Sequence, residues 1–169
     1  MGHEDLKLEG INCRVLTVSS SRTGKSDKSG KLIEKLLSKE GHAVEAKRIV
    51  PDQPESIRKE IEETAGSRPR VLVITGGTGL SLQDQTVDVL KKLEDKLLPG
   101  FGEAFRWLSF EDIGPRAILS RARASVVGDT LVFSLPGSTA AVELGMKELI
   151  LPAMGHALYE LDKEKEDAG

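Results

Sequence analysis

A chain of 169 residues with 38% hydrophobic and 30% charged residues is long enough for one domain, too short for two ordinary ones, and too apolar for disorder. Its net charge of −3 gives no bulk attraction to nucleic acid, no apolar run reaches the length of a membrane span, and the start, MGHEDLKLEG, has no apolar signal-peptide core, so a cytoplasmic protein is expected. The single cysteine, Cys13, excludes an intramolecular disulfide and a cysteine-rich metal site, and its apolar strand setting points to inert packing.

Taken in order, residues 1–10 read as a polar lead-in, and Cys13 to Ser19 (CRVLTVS) as a first strand. A loop rich in Ser, Gly and charge, Ser20 to Lys28, leads to Ser29 and a helix whose Leu32, Ile33, Leu36 and Leu37 share one face, ended by Gly41. His42 follows at a turn. Ala43 to Val50 is the next strand. Pro54 suits the first turn of a helix to Ala65, with Asp52 or Gln53 near its cap. Val71 to Thr75 is a third strand, followed by Gly76-Gly77-Thr78-Gly79 and a helix from Gln85 to Asp95. The βαβαβα alternation predicts a mostly parallel sheet with helices on both faces, a three-layer α/β/α fold.

Farther on, Gly100 to Phe110 holds three of the four Phe and Trp107, with Phe101, Phe105 and Leu108 at helical spacing; core or subunit contact is their expected use. Ala117 to Val127 and Thr130 to Leu135 read as strands, and the latter ends in Pro136-Gly137-Ser138 before a helix from Thr139 to Ile150. A final helix, Pro152 to Glu160, passes into the tail DKEKEDAG, read as solvated and frayed. The whole chain, 1–169, is read as a single domain with its ordered core from about residue 11 to about residue 160.

The continuous apolar run before Gly76 suits a strand buried on both faces, and ligands of such sheets bind at the carboxyl ends of the strands. Glycines there let backbone N–H groups approach an anion, so phosphate is the natural guest. The turn lacks the Lys-Ser/Thr of a P-loop and the spacing of a dinucleotide fold. Asp84 sharpens it: beside phosphate a carboxylate calls for a divalent cation between the two anions, whereas its competing reading is the N-cap of the following helix. His3, His42 and His156 stand in no metal-ligand spacing.

Several stretches in order, TVSSSR with DKSG (Asp27 to Gly30), Gly41-His42, IVPDQ, ITGGTG, Asp84 with Thr86, GFGEAFR, LSRA and LPGS, resemble the MogA/MoaB family of molybdenum-cofactor biosynthesis proteins over nearly the whole chain. The resemblance implies a three-layer α/β/α domain that forms homotrimers or homohexamers and adenylylates molybdopterin with Mg-ATP, releasing pyrophosphate. It implies Asp52 and Asp84 as catalytic, Mg²⁺-holding residues. For the pterin phosphate it implies Ser29, Ser120 and Arg121, with Gly76, Gly77, Thr78 and Gly79 cradling phosphate and Gly137 and Ser138 completing the pocket. It also implies, as a partner, the downstream molybdenum-insertion protein. Two stretches depart from the pattern: Gln83 replaces the usual Arg, and Thr86-Val87-Asp88 replaces Thr-Pro-Glu. The departures leave open a non-catalytic pterin-binding or assembly homologue. Asp52 and Ser29 as helix caps, and Ser120-Arg121 as a surface pair, are the competing structural readings.

Overall fold

Alternating strand residues divide the apolar side chains between two helical layers in a computed structural model that describes residues 10–166. Along β1 (Asn12–Val18), Cys13 and Val15 face one core while Leu16 and Val18 face the other. In β3 (Val71–Thr75) the split is Val71 and Val73 against Leu72 and Ile74. The first core is covered by α1 (Lys28–Lys39), α4 (Pro99–Ile113), α5 (Thr139–Gly145) and α6 (Leu151–Glu166), the second by α2 (Pro54–Ala65) and α3 (Thr86–Leu93). This is the expected three-layer α/β/α fold, with period-two alternation feeding two cores.

With β2 (Ala43–Val50), β4 (Lys96–Leu97), β5 (Arg123–Val127) and β6 (Thr130–Leu135), the strand order is β2-β1-β3-β6-β5-β4. β2, β1, β3 and β6 run parallel, and β5 alone runs against its neighbours. The reversal is local in origin. Gly128-Asp129 joins β5 to β6 as a two-residue hairpin, with Gly128 at φ +58, and so short a link permits only antiparallel pairing.

Four boundaries differ from expectation. Residues Gly114–Leu119 form a 3-10 turn instead of the first half of a strand from Ala117; Pro115 suits the start of that turn, and the strand begins only at Arg123. Helix α3 stops at Leu93, because Glu94 turns extended to meet Arg123 and the Ser125 hydroxyl. The break expected at Pro152 is absorbed: a π-helical stretch, Met146–Ile150, carries α5 into α6, with the Leu151 N–H donating to the Met146 carbonyl. Finally, α6 continues to Glu166, past the expected end at Glu160. Arg70 donates to both carboxylate oxygens of Asp162 at 2.9 and 3.2 Å, which ties this last stretch to the start of β3. Residues 1–9, including His3 and most of the lead-in, and residues 167–169 of the tail lie outside the described residues.

Two groups, one buried and one partly buried, have settled roles. Cys13 is fully buried, and burial pushes its thiol up to about 12, so it stays a neutral packing group at neutral pH. Glu94, with little exposed surface, accepts from Arg123 Nε at 2.8 Å and from Arg123 Nη2. Hydrogen bonding to Arg123, foremost, holds its carboxyl below the ordinary 4.5 against the opposing effect of burial. A depressed folded pKa contributes stability above the unfolded value and loses it as pH falls through the folded one. Glu94→Gln is therefore expected to destabilise the protein by about 1–2 kcal/mol at neutral pH, and its deficit against wild type should shrink below pH 4.5. Denaturant melts of both proteins across that window measure it; a deficit constant with pH would contradict the ion pair's role.

Candidate active site

Strand β3 delivers the chain to the carboxyl edge of the sheet, where two consecutive glycines take left-handed conformations, Gly76 at φ +99 and Gly77 at φ +68. The need for glycine is steric as well as conformational. A Cβ on Gly76 would stand 2.2 Å from the Val18 carbonyl oxygen, and one on Gly77 would stand 2.3 Å from Thr86 Oγ1 and 2.8 Å from Asp52 Oδ1. The turn is held from both sides. The Gly76 N–H donates to the Leu135 carbonyl at 2.9 Å, the Thr86 hydroxyl donates to the Gly76 carbonyl at 2.9 Å, and the Thr86 N–H donates to the Gly77 carbonyl at 3.0 Å. Thr78 is buried within it.

Two carboxylates converge on this turn from segments far apart in sequence. Asp52, in the link from β2 to α2, lies against Gly77, with its N–H donating to Ser20 Oγ at 3.2 Å. Asp84 lies against Gly79, where an added Cβ would meet its Oδ2 at 2.7 Å, and that oxygen accepts from the Ser81 N–H at 3.0 Å. Neither carboxylate caps a helix. The N-cap positions of α2 and α3 fall on Gln53 and Gln85, and neither makes a side-chain cap bond. Asp52 Oδ1 is buried and has no hydrogen-bond partner. Burial first, and the charge of Asp84 second, push the Asp52 carboxyl above its ordinary value. An orphaned carboxylate oxygen that also feels the charge of a second carboxylate is in an unfavourable setting that a hard divalent cation relieves. The donor set suits Mg²⁺. No group of three or more His, Cys, Asp or Glu suited to a metal occurs among the described residues, and Mg²⁺ commonly takes one or two carboxylates and completes its octahedron with substrate phosphates and water.

The expected pocket residues fall on two flanks of the turn. On one, Ser29 sits in the first turn of α1 and donates its hydroxyl to the Gly137 carbonyl at 2.8 Å; it is not the cap, because Asp27 holds that position and accepts from the Gly30 N–H at 2.9 Å. A Cβ on Gly137 would stand 3.6 Å from the Gly76 Cα, and exposed Ser138 caps α5 by accepting from the Ala141 N–H at 3.2 Å. Arg22, which sequence reasoning did not single out, also donates to the Gly137 carbonyl at 2.7 Å; its place in the TVSSSR stretch was the available signal.

On the other flank stands Arg121, and each of its three nitrogens is bonded to protein. Nε donates to the Gly79 carbonyl at 2.9 Å, Nη2 to the Asp84 carbonyl at 3.0 Å, and Nη1 to both oxygens of Asp88 at 3.0 and 3.1 Å. Ser120 Oγ accepts from the Ala122 N–H at 3.3 Å, and its carbonyl accepts from Arg106. Beyond them opens a cavity of about 270 Å³, lined by Lys91, Glu103, Arg106, Ile118, Ser120 and Arg121 among others. GFGEAFR and LSRA, read separately in the sequence, meet there.

A glycine turn between two carboxylates, at the carboxyl edge of a parallel sheet and beside a cationic cavity, defines an α/β domain suited to a phosphate-bearing ligand and a divalent cation. The family profile described as "Probable molybdopterin binding domain" matches residues 14–156, and the chain belongs to that molybdenum-cofactor biosynthesis family. It is 43% identical to the molybdenum cofactor biosynthesis protein B of Staphylococcus carnosus over 165 residues, 95% of this chain and 97% of the relative. A crystal structure of a molybdenum cofactor biosynthesis protein B superposes with a TM-score of 0.89 at 42% identity, covering 92% of this chain and 98% of the other. The tungsten cofactor synthesizing protein MoaB of Pyrococcus furiosus gives 0.82 at 37% identity, covering 91% and 98%.

Proposed function

We propose that this protein, as a member of a molybdenum-cofactor biosynthesis family, binds molybdopterin and adenylylates it with Mg-ATP. The single observation that carries the chemistry is the pairing of Asp52, with its orphaned buried oxygen, and Asp84 at the glycine turn. In the reaction a terminal phosphate oxygen of the pterin attacks the α-phosphorus of ATP, and the bond to the β-phosphate breaks to release pyrophosphate. That nucleophile is already ionised at neutral pH, so no strong general base is required, and the chain need only position two anions and offset their repulsion. Mg²⁺ held by Asp52 and Asp84 supplies charge neutralisation at the phosphates. Gly76 to Gly79 bring backbone within reach of phosphate oxygens, while Ser29, Gly137 and Ser138 form one wall. The cavity beyond Ser120 is near the size of a small-molecule site and suits the organic body of the pterin. Adenylylated molybdopterin formed by purified protein from ATP, Mg²⁺ and molybdopterin is the expected result.

One observation favours the non-catalytic homologue. Gln83 stands where the family pattern has a guanidinium, a neutral amide is a poor substitute for an Arg fork, and every nitrogen of Arg121 is already bonded to Gly79, Asp84 or Asp88. On the opposite flank Arg22 is bonded to the Gly137 carbonyl.

The oligomer implied by the resemblance has a candidate surface. The aromatic stretch is divided: Phe105 is buried and Phe101 packs at a tilt against Phe133, whereas Trp107 (66% exposed) and Phe110 (51%), with Ile118 (72%) of the following 3-10 turn, face outward. Such a group of large apolar side chains is unusual on a monomer. Light scattering is expected to give a trimer or hexamer and Trp107→Glu a smaller species; a wild-type monomer at micromolar concentration would overturn this.

A further inference from the structure

Arg121 bonds to both ends of one short turn. Its Nε and Nη2 hold the carbonyls of Gly79 and Asp84, and the remaining nitrogen grips the Asp88 carboxylate in the first turn of α3. Within the closed segment the Asp84 N–H donates to the Ser81 carbonyl at 2.9 Å, Asp84 Oδ2 accepts from the Ser81 N–H, and the Gln83 N–H donates to Ser81 Oγ at 3.2 Å. Packing gives the segment little help, since Leu80 is 65% exposed and Leu82 is 94% exposed. The span that carries the Asp84 carboxylate is thus fixed by its internal turn and by one guanidinium anchored on a neighbouring helix. Arg121 itself stays part-buried beside its partner.

We propose that Arg121 and Asp88 form a positioning clamp that sets the Asp84 carboxylate against Gly79 and opposite Asp52, and that Arg121 acts through this loop instead of binding the pterin phosphate. The inference rests on the cation-site reading of Asp52 and Asp84. A planar guanidinium can hold two carbonyls and a carboxylate at once because its five N–H groups diverge in one plane; a lysine ammonium cannot reproduce that spread. Partners that orient a metal-binding carboxylate without touching the metal still matter to affinity, typically by about 10–100-fold. The clamp also gives Asp88 a reason to be acidic beyond its favourable place at a helix start.

The test compares wild type, Arg121→Lys, Arg121→Gln, Asp88→Asn and the Arg121→Gln/Asp88→Asn double variant. Mn²⁺ serves as a paramagnetic probe of the cation site, amide hydrogen exchange reports residues 79–84, and molybdopterin binding is followed separately. The clamp predicts that each single variant weakens Mn²⁺ binding about tenfold or more and accelerates exchange in that segment. Pterin affinity should hold in Asp88→Asn, whose side chain does not line the cavity beyond Ser120. The double variant should be scarcely worse than the singles, since both remove one device. Loss of pterin affinity in both Arg121 variants, with Asp88→Asn unaffected, would overturn the clamp in favour of direct phosphate binding. Unchanged Mn²⁺ affinity and exchange in Asp88→Asn would overturn it as well. If wild type itself fails to bind Mn²⁺ at Asp52 and Asp84, the cation-site reading fails, while the exchange data still decide whether Arg121 and Asp88 fix the loop.

Discussion

Asp84→Asn is expected to fold, to bind molybdopterin nearly as wild type does, and to lose Mg-ATP-dependent adenylylation by about a hundredfold or more. The substitution is unusually clean because of what the carboxylate touches. Its Oδ2 accepts from the Ser81 N–H, and an Asn side-chain oxygen can accept the same bond, so the turn is preserved. Helix α3 is indifferent, since Gln85 occupies its N-cap position. What disappears is the negative charge opposite Asp52. That charge raises the proton affinity of Asp52 in the free protein, so the variant should also be no less stable than wild type without metal, a frequent signature of groups placed for function. Product formation and pterin binding, measured in parallel at saturating Mg²⁺, test the claim. Equal turnover by the two proteins would remove Asp84 from the reaction.

Gly77→Val should abolish binding of pterin and nucleotide. The left-handed backbone at φ +68 disfavours any β-branched residue, and the first added carbon already meets Thr86 Oγ1 at 2.3 Å and Asp52 Oδ1 at 2.8 Å. The side chain therefore intrudes between the turn and one of the two carboxylates. Strain of this kind costs about 1–3 kcal/mol, so the melting temperature should fall by several degrees, roughly 2–4 °C for each kcal/mol at this chain length. Binding measured well below that lower melting point separates a blocked site from an unfolded one. Retained affinity in a folded Gly77→Val protein would move the ligand away from the turn.

Much of the scaffold is legible in the sequence because its strands are buried on both faces. Val71 to Thr75 is a run without a charge and is a strand between those bounds, and the facing pattern of Ile33, Leu36 and Leu37 in α1 is the one its spacing dictates. The errors fall where local pattern and tertiary demand part. Ala117 looks like the start of a strand because its neighbours are apolar, yet Pro115 opens a 3-10 turn and Ile118 and Leu119 face outward. Strand β4 is two residues long, Lys96 and Leu97, too short for any periodicity to register. The antiparallel β5 was readable from Gly128-Asp129 had the two-residue link been weighed as a hairpin.

The site was less accessible by pattern alone. Nothing in the spacing of Asp52 and Asp84 brings them together; the sheet order does, by placing the ends of β2 and β3 on one edge with β1 between them. The family stretches marked both positions, and they also marked Ser29 and Arg121. They could not show that Ser29 is bonded to Gly137 or that Arg121 is bonded to Gly79, Asp84 and Asp88, because a side chain's partner is set by contacts that no single segment contains.

Transfer of an adenylyl group to molybdopterin is the step on which the proposed function rests. Purified protein incubated with molybdopterin, ATP and Mg²⁺ should yield adenylylated molybdopterin and pyrophosphate in equal amounts, with neither formed when Mg²⁺ is withheld. Molybdopterin that binds the protein and returns unmodified, with no pyrophosphate released, would contradict it.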